Sequence, residues 1–555
     1  MYLDSSKVTI KGKTYQRFLL RESYREQGKV KHRTIANLSD ASEKEIQAIQ
    51  LALRHKEDLS QLVSVQDSLE LRQGPSFGAI WLLERLAQRL HITEALGSGR
   101  QGKLALWQIM ARVLDQGSRL SSVRLATHHA VCDILGLDSF DEDDLYANLD
   151  WLDQQQEGIE DRWFRASHEG QAPMVYLYDV TSSYLEGEKN ELGAFGYNRD
   201  GKKGKKQIVV GLLCDEEGKP LSVSVFPGNT QDGKTFADQV GKAAKRFGAA
   251  AVTFVGDRGM IKGPQMEEIS RQEFHYITAL TKPQIEKLLT EKVLLLGLFD
   301  EIIAEVWTEE KRYILRRNPI RAAQVRRQRE SKLEVLGRIG GKWNRYLEEH
   351  PRGKVETGVR QIQGQIEKLR VGGWVSVQAE GRKLHLRIDL EGRREEEKLD
   401  GCYALVTDLP PERADKQVIH DRYKDLTLVE SAFRTSKTGH LQMRPIYLRQ
   451  AKRTRGHALV VMMAYRMVQE LQKLWRGIDA TVQEGLDQLS SLHAVEVLIG
   501  GKPHHHQIPQ AGPAVQSLLT SADVPLPTVW RMRGIRVSTK TKLPSRRTRA
   551  NKSIA

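Results

Sequence analysis

The order of extended and helical patterns between Pro173 and Leu280 constrains the fold more than any other feature of the chain. Met174-Val-Tyr-Leu-Tyr-Asp179 is an apolar run ending in an acid, which reads as a buried strand. Gln207–Cys214 and Pro220–Phe226 read as two further strands joined by the turn Asp215-Glu-Glu-Gly218. Pro227–Asp232 is a turn, Thr235–Phe247 a helix, and Ala250–Asp257 a second strand that closes on an acid. A short helix and the strand Phe274–Leu280 complete the series. Three strands, helix, strand, helix, strand is the order of a mixed sheet layered with helices, an α/β fold.

Residues 283–401 interrupt that series. They mix expected strands (Glu301–Trp307, Arg312–Arg317, Trp374–Ala379, Lys383–Leu390) with charged helices such as Ile320–Leu347, and Gly381 marks a hairpin. A structureless loop of that length is implausible, so the segment is expected to be an inserted α+β subdomain. Strand character returns at Cys402–Thr407. The next stretch, Asp421–Lys437, has no Gly or Pro and places Leu426, Val429 and Phe433 at helical spacing, which predicts one amphipathic helix. Tyr423, Glu430 and Lys437 recur every seven residues along one face, with Arg434 one turn from Glu430.

Outside this core, residues 1–40 alternate basic and apolar residues in short strands, a small sheet with one wet, positive face. Helical periodicity dominates residues 41–167, with acidic Asp141-Glu-Asp-Asp144 starting one helix. A basic loop, Lys202-Lys-Gly-Lys-Lys206, lies between the first two core strands, and a long apolar helix runs from about Arg449 to Trp475. His504-His-His506 reads as a loop, because three adjacent imidazoles converge poorly on one ion. The end, Arg531–Ala555, is basic, poor in apolar residues and expected to be disordered.

The net charge of +15 over 555 residues points to a polyanionic partner, nucleic acid first. Three scattered cysteines exclude a disulfide framework or zinc finger and fit a reducing, cytoplasmic setting. Neither a signal-peptide pattern nor a membrane-length apolar run is found.

Asp179 and Asp257 each end an expected strand, and Glu430 lies on a helix that could pack beside them. Acids ending strands are most often turn or cap residues. Three that converge, however, repel one another and call for hard divalent cations, Mg²⁺ or Mn²⁺. Two such ions ~3.5–4 Å apart support in-line phosphoryl transfer.

The succession Tyr178-Asp179-Val-Thr-Ser, Gly256-Asp257-Arg-Gly and Tyr423…Glu430…Lys437 resembles the DDE transposases of bacterial insertion sequences. Val429-Glu-Ser-Ala-Phe-Arg-Thr-Ser-Lys437 and Met443-Arg-Pro-Ile-Tyr447 are similar to the subgroup with a β-rich insertion, the IS-four-like superfamily and its IS-sixteen-thirty-four-like type. The resemblance implies an RNase H-like core in two parts, 170–282 and 402–475, separated by the insertion at 283–401. A β module (1–40), a helical DNA-binding or dimerisation module (41–167) and a C-terminal region (476–555) complete the expected organisation.

It further implies Asp179, Asp257 and Glu430 as catalytic metal ligands, with Tyr423 and Lys437 on phosphates near the transposon end. Arg434, Arg316, Arg317, Arg326 and Arg327 are added as candidate DNA contacts by their charge. Relatives stack a base on a Trp of the insertion, for which Trp307 and Trp374 are candidates, although a core Trp is the plainer reading. One position departs from the subgroup pattern: Leu426 stands where it has an Arg. The expected activity is Mg²⁺-dependent cleavage at terminal inverted repeats and joining of 3′-OH ends to target DNA, by a homodimer on DNA. A nuclease that does not integrate and a non-catalytic DNA-binding derivative are the alternatives.

Overall fold

Long apolar runs bounded by turn residues assemble, in the computed structural model, into an eight-stranded mixed sheet. The structure describes residues 1–58, 69–247, 252–271, 273–308, 311–499 and 502–528, together with Arg533, Ile535 and Val537. The expectation of disorder for Arg531–Ala555 otherwise falls outside them. Two compact units divide the chain: Met1–Ser76 with Ser491–Gly512 and Leu526–Met532, and Phe77–Ser490 with Pro513–Pro525 and Arg533–Ala555.

In the smaller unit, β1 (Tyr2–Ile10), β2 (Lys13–Glu26) and β3 (Lys29–Asn37) form an antiparallel meander with β2 central. A helix, Glu43–Arg54, follows; Ser42 and Glu45 close a reciprocal capping box at its start. A second sheet sets β4 (Leu69–Ser76) against the strand His493–Ile499, which also pairs with Lys502–Gln507. Two expectations are corrected here. Residues 41–167 are not wholly helical, and His504–His506 lie in a strand rather than a loop, part of a sheet that the segment after 476 returns to build. The pairing joins segments more than 400 residues apart in sequence, which no local pattern can announce.

The large sheet runs β10-β11-β14-β9-β8-β5-β6-β7. Its strands are β5 (Val175–Tyr184), β6 (Gln207–Cys214), β7 (Pro220–Pro227), β8 (Thr253–Gly256), β9 (His275–Ala279), β10 (Ala304–Trp307), β11 (Arg312–Arg317) and β14 (Cys402–Thr407). β8 lies parallel to both β5 and β9, and every other neighbour is antiparallel. Every residue of β6 is buried, as its unbroken apolar sequence predicts. The helix Asp232–Arg246 contributes Phe236, Val240 and Ala243 to a core shared with Tyr176, Tyr178 and Phe254. A helical layer including Arg100–Leu114, Glu142–Ser167 and Ala451–Leu474 completes the unit. Asp141 caps the second of these through the N–H groups of Asp143 and Asp144. Gly456 permits a close crossing of the last two, since a Cβ there would lie 2.3 Å from the Leu149 carbonyl oxygen.

β10 and β11, expected from the sequence in the inserted subdomain, instead extend the main sheet, because β11 pairs with β14 along its whole length. The chain leaves the sheet only after Arg317. It then forms the helices Pro319–Glu349 and Val355–Leu369, the hairpin β12 (Val375–Glu380) and β13 (Lys383–Ile388), and the helix Leu390–Glu397. This segment has its own core, including Leu336, Ile362, Ile366, Trp374 and Leu384. Arg329, buried, makes a two-pronged ion pair with Asp400 at 2.7 and 2.9 Å. Cys132, Cys214 and Cys402 are free thiols, and among the described residues no helix is long and apolar enough to cross a membrane.

Candidate active site

β5 and β8 run parallel with Tyr178 opposite Gly256, so Asp179 and Asp257 are the next residues on two neighbouring strands. β8 stops there, and the Met260 N–H closes the turn onto the Asp257 carbonyl at 2.9 Å. β5 continues to Tyr184, because β6 still pairs with it and sets Leu212 opposite Asp179. The expectation that Asp179 ends its strand is therefore corrected: it sits mid-strand, at the point where one neighbour ends.

Leu177, Asp179 and Thr181 share one face of β5, and the helix Leu426–Lys437 packs on that strand. Leu426, Val429, Ala432 and Phe433 form its buried stripe. A buried Val or Phe contributes about 1.5–3 kcal/mol, enough to hold Glu430 one residue beyond the stripe and exposed. The single helix expected from Asp421 is two, Lys416–Lys424 and Leu426–Lys437, which meet at Asp425. Tyr423 lies in the last turn of the first and Glu430 on the second. Leu426, where the subgroup pattern has an Arg, is buried, and Arg422 pairs with Asp425 at 3.2 Å.

Burial, with the negative charges of Asp257 and Glu430 adding to it, pushes the Asp179 carboxyl up to about 7 against the opposing Val180 N–H at 2.7 Å. Arg199, on the loop after β5, works the other way. The Tyr423 phenol is likewise pushed up, first by burial and then by Asp257, whose Oδ1 it approaches at 3.5 Å, with Glu430 adding to it. The three acids and Tyr423 thus lie within electrostatic reach of one another. Among the described residues no three acidic, His or Cys side chains converge tightly enough to enclose an ion as they stand. Asp179 and Asp257 each turn Oδ1 onto the following backbone N–H. An open cleft of about 660 Å³ lined by Arg199, Asp232, Gly259 and Lys262 begins at the same loop.

Lys437, expected on a phosphate, is buried at the end of the Glu430 helix. Its ammonium donates to the Thr181 hydroxyl at 2.9 Å and pairs with Asp200 at 2.6 Å. Burial lowers its pKa, and Asp200 resists that shift. Asp200 is the hub: it also binds Arg444 and accepts from the Tyr184 N–H at 3.1 Å. Sequence reasoning missed it, since Asn198-Arg-Asp-Gly201 carries only an ordinary turn signal. Arg199 was missed too; it grips Asp232 through two bonds of 2.7 and 2.8 Å.

Of the remaining candidates, Arg316 and Arg317 are engaged elsewhere, whereas Arg434 lies one turn from Glu430. Arg434 is exposed on the Glu430 helix. Arg316 donates to His420 at 3.1 Å, and Arg317 pairs with Asp300 at 3.0 Å where the insertion leaves the sheet. Trp374 is corrected: at 3% exposure, inside the insertion's own core, it has no face to offer a base. Trp307 is exposed, with Arg312 over its ring.

Residues 3–66 match the family described as IS1634 family transposase, N-terminal domain, and residues 170–467 match the Transposase DDE domain. No curated protein matches the chain. A cryo-EM structure of a piggyBac transposase synaptic complex with hairpin DNA is similar at a TM-score of 0.34 and 9% identity, over 80% of this chain and 75% of that chain.

Proposed function

The chain belongs to the DDE transposases, of the IS1634 type, and from that premise we propose that Asp179, Asp257 and Glu430 form the catalytic centre of this DNA transposase. The core is RNase H-like, in two parts on either side of the inserted segment. The observation that carries this reading is the register of β5 on β8, which delivers two acids side by side beneath the helix that carries the third.

The donor set fits a hard divalent cation, Mg²⁺ with Mn²⁺ as substitute. Asp179 is held against ionisation by burial and by two like charges, a penalty that a bound cation would relieve. Bound there, the ions supply charge neutralisation and activation of water or a 3′-OH. The chain's own residues do the rest. Asp179 and Asp257 fix the site to the sheet, and Glu430 closes it from the helix. Tyr423 keeps its proton and can donate to a phosphate oxygen beside Asp257. Lys437 and Asp200 brace the helix from below. A homodimer pairs two transposon ends in the cytoplasm, cuts at the terminal inverted repeats and joins the freed 3′-OH groups to target DNA.

The test is cleavage and strand transfer on duplexes carrying the flanking ends, with Mg²⁺ or EDTA, for wild type, Asp257→Ala and Glu430→Gln. Metal-dependent nicking and joined products are expected from wild type, with loss of at least about 10²-fold in both variants and retained end binding. Comparable cleavage by Glu430→Gln removes that residue from the centre. Nicking without joining leaves a nuclease, and binding without cleavage leaves a DNA-binding derivative.

A further inference from the structure

We infer that the hairpin formed by β1 and the first half of β2 is a two-stranded ribbon that enters the major groove of the transposon-end duplex. This rests on the transposase reading above and assigns the recognition of the ends to one element. β2 is longer than either neighbour. β1 pairs with Lys13–Arg21 and β3 pairs with Leu19–Glu26, so the two partners overlap only near residues 19–21. Beyond that overlap the β1–β2 hairpin is a bare ribbon, and every residue from Ser5 to Arg17 is exposed. A ribbon with no covering layer gains little from burial, so its sequence need not serve a core.

The sequence of the ribbon is one-signed. Lys7, Lys11, Lys13 and Arg17 occur in it, no acid lies between Ser5 and Phe18, and among the described residues none of the four cations makes an ion pair. The companion β2–β3 hairpin, equally exposed at its end, is an internal control. Its Glu22 holds Arg33 at 2.6 Å and its Glu26 holds Lys31. General solubility would give both hairpins the mixed pattern. Among the described residues the companion offsets Lys31 and Arg33 and leaves Arg25 and Lys29 unpaired, whereas the first hairpin carries four unpaired cations and no acid, the denser form of the pattern that releases counterions from a phosphate backbone.

Register adds a reading face. Lys7 is opposite Gln16 and Thr9 opposite Thr14, with the two threonine hydroxyls 3.2 Å apart, so these four side chains share one face. Amine, carboxamide and hydroxyl groups are those that meet base edges, and Gln and Lys pair with adenine and guanine edges in the major groove. The opposite face carries Val8, Ile10 and Tyr15 with Lys13 and Arg17. Strands ~4.8 Å apart make a ribbon that a groove about 12 Å wide admits. The ribbon would lay Lys7 and Gln16 toward the bases, with Lys11, Lys13 and Arg17 on the flanking phosphates.

The experiment is fluorescence anisotropy of the full chain on an end duplex and on a scrambled duplex, between about 50 and 200 mM salt. Lys11→Ala/Lys13→Ala/Arg17→Ala is expected to lower the slope of log K against log salt by about 2.7, at ~0.9 per phosphate contact, on both duplexes. Lys7→Ala/Gln16→Ala is expected to cut end-over-scrambled discrimination roughly 10-fold or more, with little change in slope. Lys31→Ala, in the companion hairpin, should change neither. All variants should keep the wild-type far-ultraviolet dichroism, since only exposed side chains are altered. A wild type that prefers the end, with an unchanged triple variant, overturns the ribbon inference alone. So does a triple variant that loses self-association instead of salt dependence, or a Lys31→Ala that matches its effect. A wild type without preference for the end strikes at the transposase reading itself.

Discussion

Asp200→Ala should be among the most damaging single changes outside the candidate metal ligands. The Asp200 side chain is 1% exposed and faces Lys437 at 10% and Arg444 at 24%. Removing the carboxylate leaves the Lys437 ammonium buried with only the Thr181 hydroxyl, and orphans the Tyr184 N–H. Breaking a buried pair from one side costs about 3–5 kcal/mol, because the remaining charge keeps its desolvation penalty. Arg444 can turn to water and should add little. Against a total stability of about 5–15 kcal/mol this is a large loss. For a unit of this size it corresponds to a fall in Tm of roughly 3–5 °C. Differential scanning calorimetry on wild type, Asp200→Ala, Lys437→Met and the double variant checks it. The double variant should regain much of the loss, since it removes the stranded cation together with its partner. A fall of less than about 2 °C for Asp200→Ala, or a double variant whose loss is the sum of the singles, would refute the reasoning.

Two further outcomes are expected of the interior. His457 is buried against Arg119, which donates to its Nδ1 at 2.9 Å, and burial, Arg112 and Arg119 hold its pKa well below the ordinary value. The unfolded chain takes up a proton near pH ~6.5 that the folded chain refuses, so this contribution is present above that pH and is lost as pH falls, by at most ~1.4 kcal/mol per pH unit. Tm measured from about pH 7.5 downward should fall more steeply for wild type than for His457→Gln; parallel curves would count against it. Trp374→Ala should cost about 3–5 kcal/mol by opening a cavity in the insertion's core. Trp374→Phe should cost far less, because the buried indole N–H has no hydrogen-bond acceptor among the described residues to lose. End cleavage by Trp374→Phe should equal wild type, and a specific loss of cleavage in a folded Phe variant would restore the base-stacking role.

The mixed sheet was legible because its strands are apolar runs bounded by turn residues, so that Gln207–Cys214 and Cys402–Thr407 match the observed β6 and β14 residue for residue. What escaped were facts held by distant partners. Nothing near Leu69–Ser76 shows that its neighbour is His493–Ile499. Asp179 looks like a strand end because polar residues follow it, but β6 supplies a partner as far as Tyr184. Asp200 followed by Gly reads as a turn in any sequence, and only folding surrounds its carboxylate with Lys437 and Arg444. Helical spacing carries Tyr423, Glu430 and Lys437 onto one idealised face. The break at Asp425 and the burial of Lys437 show how local spacing can place residues correctly along a helix while leaving open which of them reach solvent.

The inserted segment departs after β11 and returns at β14, and those two strands are hydrogen-bonded neighbours with Arg317 directly opposite Cys402. Its two ends are therefore as close together as the ends of a hairpin loop. A lineage could lengthen, shorten or exchange everything between them without changing the register that sets Asp179 beside Asp257. The sheet can stay conservative while the insertion is free to diversify, and new surfaces can be tried there at small risk to the acids. For the engineer, the same adjacency marks a place where a foreign domain could be grafted into the middle of the chain and still leave its two halves to fold as one.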